Sequence, residues 1–425
     1  MHNVCGYESG ALAANVAKYC VMDSVSCGQS YVRAFDSESG LLVGTLGISP
    51  HSVATWATGA YGYAKLCSEM EANGMYLGSS LGVPSFQIPG GLVAPVMFGL
   101  HRQGATDLDF SSHYPTSIVG ANPLYETTTS AYEISPKPVR SVEWTGLLYL
   151  SNARKTAMKA ALDHPTHVDC VRAVWAIFSE DWPYMKCTSA DGCLALPALA
   201  RSVGSNVKHI QPVAQTEIGS GILFATLCGW THDGVSISVL ALRLLVGVVA
   251  SMIGRSIASR DAIKLRVKGR APTSAENAEM QALKLSMNSV YGIFGDPNKD
   301  SFDPALAGMT TVLCRAHERA LIEACEHLGF VVLAADTDSA IVSGILTPDE
   351  ISAVKVEYRK RAYVTTAEFG RLGHKNIDCV LMGKSRKCRA TYNSAAGYKH
   401  VGLACVRVDA RRSSPTRLGI CATTA

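Results

Sequence analysis

Residues Phe330 to Val342 constrain this chain of 425 residues more than any other stretch. Phe330-Val331-Val332-Leu333-Ala334-Ala335 reads as a strand, Asp336-Thr337-Asp338 as a tight turn, and Ala340-Ile341-Val342 as a returning strand. That is a β-hairpin with acids at its tip. A second acid ends a strand far upstream. Leu92 to Leu100 leads into Thr106-Asp107-Leu108-Asp109-Phe110, and Pro115 breaks the local structure ahead of a helix. An isolated Asp is most often a cap, and a lone D-x-D is common in turns. Two acids brought together from distant sequence are what phosphoryl transfer by two divalent ions requires. Magnesium in particular takes a few carboxylates and completes its shell with water and substrate phosphates.

A third stretch supplies the opposite charge. Ala275 to Lys284 is strong helix-forming sequence, and the helix continues through Lys284-Leu285-Ser286-Met287-Asn288-Ser289-Val290-Tyr291-Gly292. Helical spacing puts Lys284, Asn288 and Tyr291 on one face, where a cation can meet a phosphate. Residues 235–265 and 275–291 are expected to form two helices, with Gly269 and Pro272 in their connection, and 316–327 a further amphipathic helix. Val235 to Ile253 is apolar enough to resemble a membrane span. Arg243 in its middle would be costly there, so a buried helix is expected and no membrane partner.

Hydrophobic residues make up 48% of the chain and charged residues 17%, which excludes a disordered class. The net charge of +4 permits a polyanionic partner without demanding one. Basic residues crowd Lys384 to Arg417, a stretch with Asp409 as its one acid. That reads as a solvated basic face or as a groove along a nucleic-acid backbone. The 14 cysteines contain no C-x-x-C pair, so zinc knuckles and thioredoxin-like sites have no support. Buried free thiols in a reducing compartment, with no signal peptide, are the expectation.

The three stretches together resemble the polymerase motifs of family B DNA polymerases, D-F-x-S-L-Y-P-S-I-I, K-x-x-x-N-S-x-Y-G and Y-G-D-T-D-S, in the family's order. The resemblance runs from about Ala17 to about Arg407. It implies an α+β fold with a right-hand polymerase palm, an antiparallel sheet of split β-α-β type, a helical fingers hairpin and the end of an exonuclease domain. It implies DNA-directed DNA synthesis, with deoxynucleotides added to a primer 3′-hydroxyl on primer–template DNA. Asp109 and Asp338 would hold two Mg²⁺, with Mn²⁺ able to substitute, the Phe110 carbonyl would complete the shell, and Asp336 would stand near the site. Tyr114 matches the steric gate that excludes a 2′-hydroxyl, and Ser112 and His113 beside it would line the nucleotide. Lys284, Asn288, Arg260 and Lys264 would meet the triphosphate. The last two lie in Met252-Ile253-x-x-x-Ile257-x-x-Arg260-x-x-x-Lys264, which resembles the other fingers helix. Tyr291 and Gly292 would sit near the nascent pair. Arg386, Lys387 and Arg389 match a basic primer–template motif, and Gly402-Leu403-x-x-Val406-Arg407 the start of the thumb, giving Arg407 a DNA contact.

The implied organisation is 1–95 for the exonuclease end and its connection, 96–233 for palm with an insertion, 234–292 for fingers, 293–395 for palm with the acid hairpin, and 396–425 for the start of a thumb. Tyr19 and Asp23 match a third exonuclease motif, but the first two have no room ahead of them, so no proofreading is expected. Most thumb residues and any processivity tail are expected beyond Ala425. Asn288 to Gly292 and the short gap between the fingers helices look most like herpesvirus-type polymerases, which implies the host nucleus and a processivity subunit. Three departures stand out: His113 replaces Leu, Ala334-Ala335 replaces Tyr-Gly, and Cys314-Arg315 replaces Gly-Arg. Two other readings stay open. One is a catalytically inactive nucleic-acid-binding remnant. The other is a sugar-nucleotide transferase using Asp336 and Asp338.

Overall fold

The computed structural model describes residues 58–77, 87–123, 127–134, 142–150, 154–180, 184–187, 199, 222–362, 371–383, 388–394 and 397–401. Tyr19, Asp23, Arg386, Lys387 and Arg407 lie outside them. In chain order the described elements begin with α1 (Thr58–Ala72), β1 (Gly99–His101), β2 (Ala105–Phe110), α2 (His113–Ala121), β3 (Thr128–Ile134) and β4 (Glu143–Leu150). There follow α3 (Lys155–Leu162), α4 (His167–Glu180), β5 (Tyr184–Cys187), β6 (Ile222–His232), β7 (Val235–Leu242), α5 (Val248–Arg266), α6 (Ser274–Phe294) and α7 (Pro304–His327). The last are β8 (Val332–Asp336), β9 (Ser339–Ser343), α8 (Pro348–Arg361), β10 (Leu372–Ile377), β11 (Cys379–Met382), β12 (Arg389–Asn393) and β13 (Gly397–Val401). The fold is mixed, with helices and antiparallel sheets. Among the described residues no helix is long and apolar enough to cross a membrane.

The chain divides into two compact units, Met1–Val83 with Ser251–Asp303, and Pro84–Ala250 with Pro304–Ala425. In the first unit α6 buries Leu283, Met287, Val290 and Phe294 on one side. Helix α1 packs close to it: a Cβ on Gly62 would run into the Ser289 side chain. Thr273 and Glu276 form a capping box at the start of α6, which satisfies two otherwise orphaned N–H groups. Arg270 holds Glu276 at 2.6 Å and Arg266 reaches it at 3.3 Å, so the end of α5 is tied to the start of α6.

The second unit holds three sheets, ordered β10-β2-β9-β8, β1-β11-β12-β13 and β3-β7-β6-β4-β5, with every pairing antiparallel. Strand β2 shows the period of two that a sheet covered differently on each face demands. Leu108 and Phe110 join Ala335, Ala340 and Val342 against Leu321 and Ala324 of α7 and Val354 and Tyr358 of α8. Ala105 faces the other way, into a cluster with Ala334, Ile341, Val380 and Met382. Asp107 and Asp109 share that second face. Helix α7 also packs Met309, Val312 and Leu313 under Trp230, Ile237 and Val239 of the five-stranded sheet. The opposite face of that sheet buries Trp144, Leu148, Phe224 and Leu240 against α3 and α4.

One expectation is corrected. Residues 235–253 are not a helix. Strand β7 runs from Val235 to Leu242 beside β6, and α5 starts only at Val248. Asp233 and Gly234, at φ 46° and 79°, make the tight turn between them, the geometry that Asp-Gly favours in a hairpin. Arg243 sits just past the strand, where its N–H donates to the Phe224 carbonyl.

Trp230 can approach α7 this closely because residue 308 is glycine; a Cβ there would collide with the indole ring. Gly308→Ala is therefore expected to lower stability by about 1–3 kcal/mol, the usual range for overpacking, seen as a lower urea midpoint at unchanged slope. An unshifted midpoint would show that α7 can slide away from the sheet.

Candidate catalytic carboxylate site

The register of the central sheet brings the two distant acids together. Asp109 is paired with Ser339 on β9 and with Gly373 on β10. The Phe110 N–H then donates to the Asp338 carbonyl at 2.7 Å. The strand end and the hairpin tip are thus stitched to each other directly. The turn itself depends on Thr337, whose φ of 64° is left-handed, a conformation that β-branched residues seldom adopt. Its N–H donates to the Leu92 carbonyl at 2.8 Å. Its own carbonyl accepts from the His113 ring at 3.0 Å, and its hydroxyl donates to Asp336 Oδ1 at 3.0 Å. A Cβ on Gly91 would come within 2.6 Å of that hydroxyl. Arg315 of α7 donates to the carbonyls of Gly90 and Gly91 and pairs with Glu143 at 2.9 Å, fixing the segment on which the turn rests.

Four carboxylates share the local field. Burial, and then Asp109, Asp336 and Asp107, push Asp338 up to about 6. Asp107 is also raised, chiefly by burial, against the pull of Arg389 and Lys375. Its Oδ1 is buried without a hydrogen-bond partner. Lys375 on β10 approaches Asp109 at 3.7 Å. Sequence reading passed over Asp107 and Lys375. The signal was present: Asp107 lies two residues before Asp109, and the strand period puts both on one face.

This donor set suits a hard divalent cation. Burial and the neighbouring acids lift Asp338, one oxygen of Asp107 finds no hydrogen-bond partner among the described residues, and the side-chain donors are carboxylates. Among the described residues no three His, Cys, Asp or Glu side chains converge in coordinating geometry, so water and substrate oxygens would have to complete a shell, as magnesium prefers. Asp109 and Asp338 would hold the ions.

The remaining candidates fall in different places. Ser112 precedes α2 with φ 53° and makes no side-chain cap. Tyr114 is half-buried, its ring near that of His113. His113 was expected beside the nucleotide, but it is only 6% exposed. Its ring stacks on Phe110 at 4.4 Å between centroids. Burial lowers it to about 4, which keeps it neutral. Arg389 on β12 lies in the field of Asp107 and Asp338, lowering both. In the other unit Lys284, Asn288 and Gly292 follow one another along the exposed side of α6, with Tyr291 half-buried beside them. On α5, burial lowers both Arg260 and Lys264, and the charge of Arg260 lowers Lys264 further. Lys264 is also paired with Asp261 at 3.3 Å.

No protein-family model matches the chain. Over 113 residues it is 28% identical to the DNA polymerase alpha catalytic subunit of Arabidopsis thaliana, a match spanning 26% of this chain and 7% of the plant protein. Among solved structures it is similar to the family B DNA polymerase from the hyperthermophilic archaeon Pyrobaculum calidifontis. There the identity is 18% and the TM-score 0.46, across 95% of this chain and 40% of that one. The chain therefore spans well under two thirds of either protein. Both of those proteins are described as DNA polymerases.

The raised Asp338 has a consequence for stability. The folded chain keeps this proton up to about pH 6, whereas an unfolded Asp releases it near pH 4. More protons are bound when folded, so stability falls as pH rises between those values. Asp338→Asn in chelator is expected to unfold at a higher temperature than the wild type at pH 7.5 and at the same temperature near pH 4. Discounted for solvent screening at a partly open site, the gain is on the order of 1 kcal/mol. A variant less stable at pH 7.5 would overturn the repulsion argument.

Proposed function

We propose that this chain is the palm and fingers portion of a family B DNA polymerase and carries out template-directed DNA synthesis. The observation that carries the reading is the meeting of Asp109 with the Asp336-Thr337-Asp338 turn across adjacent strands. Burial first, and then the neighbouring carboxylates, lift Asp338 to about 6. A purely structural turn would gain nothing from such a conflict, whereas a cation-binding site needs it.

In this reading Asp109 and Asp338 ligate the metal ions, with the Phe110 carbonyl beside them, and Asp336 and Asp107 set the field around them. Two bound Mg²⁺ would supply the charge that activates a primer 3′-hydroxyl and holds the leaving pyrophosphate. Tyr114 packs under the incoming sugar and selects deoxyribose. Lys284, Asn288, Arg260 and Lys264 grip the triphosphate; the exposed stripe of α6 supports this. Tyr291 and Gly292 contact the nascent pair, and Arg389 the primer–template backbone. A viral, herpesvirus-like origin fits the Asn288 to Gly292 motif. Primer–template DNA and a deoxynucleoside triphosphate are the partners.

Primer extension with Mg²⁺ and deoxynucleotides tests the reading. The wild type is expected to extend a primer, and Asp109→Ala or Asp338→Ala to reduce extension at least about 100-fold. Lys284→Ala should raise KM for the nucleotide while the primer–template still binds. Extension that survives Asp338→Ala would sink the metal assignment. Tight primer–template binding with no extension would identify an inactive nucleic-acid-binding remnant instead.

A further inference from the structure

Three features outside the proposed metal ligands were candidates for an added role. A cavity of about 310 Å³ is lined by Glu143 and Arg319, which pair with each other, and by Arg361, which is already paired with Glu357. The exposed Met97, Phe98 and Leu100 near β1 offer an apolar edge with nothing to say what would cover it. The buried ring of His113 carries the argument furthest.

The ring sits at the first residue of α2, four positions after Asp109, and spans the gap to the hairpin. Nδ1 lies 3.0 Å from the Thr337 carbonyl, between the two acids of the turn. A carbonyl only accepts, so Nδ1 bears the proton and donates. The ring cannot swing away. Phe110 stacks on one side at 4.4 Å, and His317 meets it edge-on at 6.2 Å. His317 is in turn held by the Tyr358 hydroxyl at 2.6 Å, which anchors the chain of rings to α8. The other nitrogen is informative. Among the described residues Nε2 is buried without a hydrogen-bond partner, a penalty an apolar side chain of similar size would avoid. What compensates is the bond to Thr337. That bond restrains a residue in the left-handed region, where surrounding structure must over-determine the backbone.

We propose that His113 is a positioning residue, whose Nδ1–H holds the Thr337 carbonyl and so fixes Asp336 and Asp338 relative to Asp109 for metal binding. This rests on the reading of Asp109 and Asp338 as metal ligands. It extends that reading by assigning the preorganisation of the turn to one side chain outside the carboxylate set.

Three variants of the full chain separate positioning from bulk packing. His113→Leu fills the space without a donor. His113→Asn can place an amide N–H where Nδ1 stands, and His113→Gln places its amide where Nε2 stands. Mn²⁺ binding is read by electron paramagnetic resonance, with Asp338→Asn as the control, and long-range proton–nitrogen NMR reads the tautomer. The wild type is expected to show the Nδ1–H tautomer. His113→Leu is expected to weaken Mn²⁺ binding about tenfold, the scale of losing a hydrogen bond to a buried carbonyl, and His113→Asn to stay within about threefold. His113→Gln should resemble His113→Leu. In primer extension His113→Leu should lower kcat and leave KM for the nucleotide nearly unchanged. Wild-type Mn²⁺ affinity in His113→Leu, whatever its melting temperature, would overturn the proposal. So would an Nε2–H tautomer, or a wild type with no Mn²⁺ binding that depends on Asp338. A wild type that binds Mn²⁺ through Asp338 but extends no primer would defeat the polymerase reading alone, and the three variants would still decide the role of His113 by metal affinity.

Discussion

The left-handed backbone at Thr337 is the constraint on which the carboxylate site depends. Glycine would adopt it without penalty, but threonine costs on the order of 1–2 kcal/mol there. Neighbouring groups hold it in place. Leu92 accepts its N–H, the His113 ring donates to its carbonyl, and the next residue's carbonyl accepts from Phe110. The Thr337 hydroxyl adds what a glycine could not, a hydrogen bond to the Asp336 carboxylate. Room for that side chain exists because residue 91 has no Cβ. A pair of small choices, Gly91 and Thr337, therefore orients an acid as well as turning a chain.

Helix α7 transmits this local order through its unit. It buries residues against the central sheet on one side and against the five-stranded sheet on another. Three of its polar residues extend this order: Arg315 grips Gly90, Gly91 and Glu143, Arg319 also pairs with Glu143, and His317 meets the His113 ring edge-on. Glu143 begins β4, so the same carboxylate links the five-stranded sheet to the segment under the acid turn. Burying a charge is tolerable only when it is paired, and here two guanidinium groups do the pairing.

The sequence was legible where one physical rule governed each stretch. The acid hairpin, the strand ending at Asp109 and the helix through Lys284 all combine a clear period with a chemical landmark, and each is present in the structure. Residues 130–230 were opaque because the sheet they build is covered on both faces. Seven of the eight residues of β4 are buried, so no alternation survives for a reader to see. Val235 to Ile253 failed for a related reason. A buried strand followed closely by a buried helix start gives one continuous apolar run, and the Asp233-Gly234 turn was the overlooked signal for the strand. For His113 motif position implied proximity to the nucleotide, while its burial and its bond to Thr337 are properties of the fold that the sequence does not show. Asp107 was passed over because attention fell on the acid at the strand end, although the strand period gives its neighbour the same face.

The acids of this site gain nothing from one another. Asp107 and Asp109 are about 7 Å apart along one face of a strand, and Asp338 is forced into their field by the hydrogen bond from Phe110. Arg389 lowers both Asp107 and Asp338 and Lys375 lowers Asp107, while burial and the neighbouring carboxylates keep Asp338 raised. An apolar residue at 107 or an amide at 338 would suit the fold better. In the proposed reading, such a conflict, with a strained turn and a buried histidine beside it, is offset by bound cations that the protein itself does not supply. The cost falls on stability and the benefit on binding, which is the pattern expected of a preorganised site.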